Sequence, residues 1–106
     1  MPKKTTTDAT KILADIAGHD PKRRQAFEEA VANREVAQRI YELRQQAGLS
    51  QAELAKRVGT TQSVISRLED ADYEGHSLAM LNRIAAAVER RVEIRFLPRR
   101  RRLQPA

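Results

Sequence analysis

The sequence predicts an all-α bundle built around a helix-turn-helix, with an extra helix before it and one short β-strand after it. Three observations carry that prediction. Apolar residues recur at three- and four-residue spacing from Phe27 to Val88. Capping and stop residues punctuate that period at Ser50, Gly59, Thr61 and Ser77. Only beyond Arg91 does the period change to two. A chain of 106 residues has room for one small domain and little else.

Residues 1–19 read as a flexible N-terminal segment. Their one apolar stripe, Ile12, Leu13 and Ile16, is too short to make a stable helix alone. Asp20-Pro21 is a helix start, an N-cap followed by proline at the first helical position. Phe27 and Val31 then share a face and extend a helix over 20–33. Val36, Ile40, Leu43 and Ala47 continue the period until Gly48, a C-cap glycine. The two runs form either two helices or one bent near Asn33. The domain that follows is assigned to 34–91.

Ser50 and Glu53 make a capping box, in which hydroxyl and carboxylate each satisfy a free backbone N–H. Leu54 and Val58 face inward, and Gly59 ends this short helix. Thr61 caps the next one, which carries Ile65 and Leu68 and runs to about Asp70. Residues 70–76 read as a polar loop. Ser77 caps a last helix with Leu78, Leu81, Ile84, Ala85 and Val88 on one face.

A tight helix pair needs a small residue where the helices approach, and Ala55 supplies it. It needs a left-handed backbone at the turn, which suits Gly59. It also needs apolar residues where both helices meet the core, and Leu54, Val58, Ile65 and Leu68 fit. Several unrelated requirements met at fixed offsets distinguish this segment from an ordinary helical hairpin. The outward face of the second helix presents Gln62, Ser63, Ser66 and Arg67, with no acid before Glu69. Gln can pair bidentately with adenine, Arg with guanine, and Ser can donate or accept at either. These four are the expected DNA base contacts. Gln51 and Thr61, at the two helix starts, suit phosphate oxygens.

After Arg91, Val92, Ile94 and Phe96 alternate with Glu93, Arg95 and Leu97, and Pro98 ends the run. That is a strand over 92–98 with no second strand to pair with. Either it pairs with the same strand of a second copy through Val92, Ile94 and Phe96, or it docks its apolar side chains on its own helices. The first alternative predicts a homodimer whose DNA site is an inverted repeat.

The charge of +6 is uneven, because the segment from Glu89 onward carries seven arginines against two glutamates. Residues 99–106 read as a basic disordered tail. Arg99, Arg100, Arg101 and Arg102 add sequence-independent attraction to phosphate, or simply solvate the end. The helix-turn-helix itself is close to neutral. With no cysteine, disulfides and thiolate metal sites are excluded, and a cytoplasmic location fits. His19 and His76 have no second ligand at metal spacing, so neither metal nor cofactor is expected, and both read as solvated loop or cap residues. No run approaches the ~20 apolar residues of a membrane span, and no signal-peptide pattern opens the chain. Ser63 and Ser66 have no neighbouring histidine and there is no phosphate-binding glycine loop, so no enzyme is expected.

Residues 51–69, Gln-Ala-Glu-Leu-Ala-Lys-Arg-Val-Gly-Thr-Thr-Gln-Ser-Val-Ile-Ser-Arg-Leu-Glu, resemble the Cro/C1-type (XRE) family of helix-turn-helix regulators, and are especially similar to the lambdoid phage repressors. The resemblance covers about residues 36–88 and implies a lambda-repressor-like fold. It also implies that Gln62, Ser63 and Arg67 contact bases and that Gln51 and Thr61 lie against the DNA backbone. Some members pair an arginine of the first helix with a glutamate ending the reading helix; Arg44 and Glu69 hold those places. Ser63 and Arg67 depart from the glutamines of the phage pattern, which leaves the operator sequence open. The flanks, a helix opened by Asp-Pro and the terminal Arg-Val-Glu-Ile-Arg-Phe-Leu-Pro, resemble HigA-type antitoxins. That likeness implies a dimeric repressor of its own operon that also binds a protein toxin, commonly an mRNA-cleaving, ribonuclease-like enzyme. Ile12, Leu13, Ile16, Phe27 and Val31 would then be toxin contacts, unless they pack on the protein's own first helix.

Overall fold

The computed structural model describes residues 20–98, which fold into four α-helices. They are α1 (Pro21–Gln46), α2 (Gln51–Val58), α3 (Gln62–Leu68) and α4 (Leu78–Ala87). Each begins on a residue whose side-chain oxygen takes a free backbone N–H. Asp20 accepts from Lys22 N at 2.9 Å, Ser50 from Glu53 N at 3.0 Å, Thr61 from Val64 N at 3.3 Å and Ser77 from Met80 N at 3.1 Å. The short helices depend on these caps, because helices of seven to ten residues are marginal in isolation.

α1 is a single helix of 26 residues that passes Asn33 without interruption, which settles the choice between one helix and two. Its two halves meet different surroundings. Ala37, Ile40 and Arg44 are buried in the bundle, whereas Phe27 and Val31 stay exposed at 59% and 40%. At 1.5 Å per residue the helix is about 39 Å long, more than the three short helices can cover.

The core is aliphatic. Ile40 of α1, Leu54, Ala55 and Val58 of α2, Ile65 and Leu68 of α3, and Ile84 of α4 form one buried cluster. Val36, Leu43, Leu49, Val64, Tyr73, Met80, Leu81 and Val88 close its edges. Ala55, 2% exposed, lies where α2 meets its neighbours, so a larger side chain there would force the helices apart. Leu78, expected on the inward face of α4, is half exposed. It is the first residue of the helix, and packing against the cluster begins with Met80 and Leu81 and reaches the buried core at Ile84.

α4 ends in a helix-stop motif of two backbone bonds, Glu89 N to Ala86 O at 3.1 Å and Arg90 N to Ala85 O at 2.8 Å. Glu89 takes the left-handed conformation there, with φ 61°, where glycine is usual. Beyond it the strand expected over 92–98 does not form within the single chain. Residues 91–98 have no regular secondary structure, and no ladder hydrogen bond joins them to the other described residues. A strand needs a partner edge, and four helices offer none. Beyond half-buried Val92 the tail does not dock on those helices either, since Ile94, Phe96 and Leu97 are 59%, 96% and 76% exposed.

Candidate nucleic-acid interface

The turn between α2 and α3 is built around Gly59, which adopts φ 86° and donates its N–H to Ala55 O at 2.8 Å. A side-chain-bearing residue would be strained at that φ. Arg83, on α4, reaches across and donates through Nη2 to Val58 O at 2.9 Å, and to Gly59 O at 3.4 Å. A cation therefore occupies the negative end of α2 and ties the turn to α4. This contact spans 25 positions. Nothing local in the sequence marks it, beyond the general need of terminal carbonyls for donors.

α3 buries Ile65 and Leu68 and turns Gln62, Ser63, Ser66 and Arg67 outward, all four exposed. Among the described residues, no hydrogen bond or ion pair engages their side chains. The helix places amide, hydroxyl and guanidinium groups together on one surface, free to meet a partner. Thr61, also exposed, uses its oxygen to cap α3 and keeps its O–H as a donor.

Two braces hold the far end of α3. Glu69, its C-cap residue, accepts from Arg44 Nε at 2.6 Å and Nη2 at 3.0 Å, while Arg44 Nη1 donates to Leu49 O at 2.9 Å. Both side chains are under 10% exposed. The hydrogen bond with Glu69 raises the Arg44 guanidinium above its ordinary value and outweighs burial, which acts in the opposite direction. Arg44 also lies 5.4 Å from the Tyr41 ring centre, a cation–π distance. The places that sequence likeness gave Arg44 and Glu69 are thus in contact.

Gln51 belongs to the same cluster. Its Nε2 donates to Glu69 Oε1 at 3.1 Å, so the side chain expected on phosphate also ties the start of α2 to the end of α3. The second N–H of that amide stays available to a phosphate.

The second brace is His76, expected as a solvated loop or cap residue and found in the capping role. Its Nε2 lies 2.8 Å from Leu68 O, a carbonyl that can only accept, so Nε2 carries the proton. Tyr73 packs edge-on against the imidazole, with ring centres 5.0 Å apart. Nδ1 is buried without a partner among the described residues. The last helical carbonyl of α3 is thereby held by the loop that leads to α4.

Other expected site residues lie apart. Phe27 and Val31 sit on the protruding half of α1, and Val92, Ile94 and Phe96 lie beyond α4. Ile12, Leu13, Ile16 and Arg99–Arg102 fall outside the described residues. Among the described residues no group of three or more His, Asp or Glu could hold a metal, and no helix is long and apolar enough to cross a membrane.

Two capped helices of eight and seven residues joined by a glycine turn, the second aiming a polar face outward, make a helix-turn-helix. Residues 40–89 match the Helix-turn-helix family model, and the match supports a DNA-binding regulator. No curated protein and no solved structure matches the chain significantly.

Proposed function

We propose that this protein is a sequence-specific, dimeric transcriptional repressor that reads double-stranded DNA with α3. The observation that carries the reading is the exposed, unengaged face of Gln62, Ser63, Ser66 and Arg67 on a helix braced at its far end by Arg44–Glu69 and His76. A freely solvated helix face needs no such bracing. A reading helix does, because bidentate base contacts tolerate little misalignment. Gln62 and Arg67 carry most of the discrimination. Ser63 and Ser66 adjust to either base type, and Thr61 and Gln51 fix the register on phosphates. The arginines at 99–102 add attraction without sequence preference.

The dimer rests on the tail. Ile94 and Phe96 are exposed, Val92 is half-buried, and the backbone has no ladder partner among the described residues, a state that a second copy relieves. The antitoxin role rests on the likeness of the flanks to HigA-type proteins. It is supported by Phe27 and Val31, which stand exposed on the part of α1 that projects beyond the core. A toxin docked there would leave α3 free for DNA.

The test is a footprint of the purified protein on the promoter of its own operon. An inverted repeat with half-site centres roughly 34–36 Å apart, one helical turn, is expected. Protection without sequence preference overturns the reading. For the antitoxin role, co-expression with the adjacent reading frame should rescue growth from that frame's toxicity. A harmless neighbouring product overturns that part alone.

A further inference from the structure

The tail carries a self-complementary code. In an extended segment side chains alternate, so Val92, Ile94 and Phe96 lie on one face and Glu93 and Arg95 on the other. The structure holds Glu93 and Arg95 side by side, with Arg95 Nε 2.9 Å from Glu93 Oε2 and both side chains well exposed. Acid and base therefore flank Ile94, with Val92 and Phe96 outside them.

We propose that two copies pair antiparallel about a two-fold axis through Ile94, which places Glu93 of each copy opposite the partner's Arg95. This rests on the dimer reading above and adds its register. Residues directly opposite in an antiparallel pair share a face. A two-fold axis passing between residues would put Glu93 opposite the partner's Ile94 and mix apolar with charged positions. Centring on Glu93 sets that carboxylate against its own copy and Arg91 against the partner's Arg95. Centring on Arg95 sets guanidinium against guanidinium. Centring on Val92 does pair Arg91 with the partner's Glu93, but only residues 91–93 fit before the strand meets the stop of α4 at Glu89 and Arg90. The Ile94 register alone pairs residues 91–97, stacks Val92 on the partner's Phe96 twice, and forms two cross-strand ion pairs.

The chain has no cysteine, so single cysteines report the register directly in the full-length protein. Under mild oxidation Ile94→Cys links to itself, because directly opposite Cα atoms lie about 4.5–5.5 Å apart, within disulfide reach. Glu93→Cys does not, since its copies sit on a diagonal of about 7–8 Å. Val92→Cys and Phe96→Cys fail alone but link when mixed. As an independent arm, Glu93→Arg or Arg95→Glu weakens the dimer on the order of tenfold, and the double reversal restores it. Self-linking at 93 or 95 instead of 94, or no restoration by the double reversal, overturns the register while a dimer in sedimentation upholds the parent reading. A wild-type protein that sediments as a monomer at micromolar concentration overturns both.

Discussion

Arg44, in the last turn of α1, and Glu69, at the C-cap of α3, meet across 25 positions in a buried two-bond ion pair of 2.6 and 3.0 Å. The pair joins the helix that anchors the core to the helix that presents the polar face. Its net worth against apolar replacements is small, because both charges have lost their water. Removing one partner is a different matter. Glu69→Ala leaves a guanidinium buried and unpaired, and should cost about 3–5 kcal/mol in chemical denaturation. The double variant Arg44→Met with Glu69→Met should recover most of that loss. A Glu69→Ala protein within about 1 kcal/mol of wild type would show that the pair is not what holds α3.

Glu89 offers the opposite kind of change. A side-chain-bearing residue at φ 61° carries a conformational cost of roughly 1–2 kcal/mol, partly offset because glycine loses more entropy on folding. Glu89→Gly should therefore stabilise the domain by about 0.5–1 kcal/mol, measured by thermal melting. Destabilisation would mean that the Glu89 side chain makes a contact worth more than the strain.

The α2 cap predicts an acid dependence. Glu53 accepts from Ser50 N at 2.8 Å, and this backbone bond, with a smaller contribution from the Ser50 side chain, holds its carboxyl below the ordinary value. A lowered folded value means stability that is present above the unfolded carboxylate range and lost as pH falls through the folded value. Glu53→Gln keeps an oxygen for Ser50 N–H but cannot titrate. The excess stability of wild type over Glu53→Gln should be constant above about pH 5 and shrink below it. A difference in melting temperature that stays flat into strong acid would contradict the assignment.

Local chemistry made much of this fold legible. Asp20, Ser50, Thr61 and Ser77 each announce a helix start through a short-range bond, and all four make that bond. The 3.6-residue period likewise located Ile40, Leu54, Ile65 and Ile84 in the core. The contacts that aim α3 were harder to read. Arg83 on the turn carbonyls and His76 on Leu68 O depend on where α4 and its loop come to rest, and carry no local pattern. Gln51 reads in the sequence only as a phosphate contact at a helix start, because Glu69, its partner in the fold, lies 18 positions away. Leu78 shows the limit of periodicity itself, which gives a side chain's direction but not how far the core extends along the helix. The tail's period of two was legible, yet a strand becomes one only when another backbone meets it.

The measurement closest to the central claim compares wild type with Gln62→Ala and Arg67→Ala, on the footprinted site and on bulk DNA at the same salt. Gln62 is neutral, so its loss leaves the electrostatic attraction to phosphate unchanged. If α3 reads bases, each substitution lowers operator affinity relative to bulk DNA by about 1–3 kcal/mol, roughly fivefold to somewhat over a hundredfold, and Gln62→Ala leaves bulk affinity as it was. Operator binding that survives both substitutions, or operator and bulk affinities that fall together for Gln62→Ala, would contradict the account.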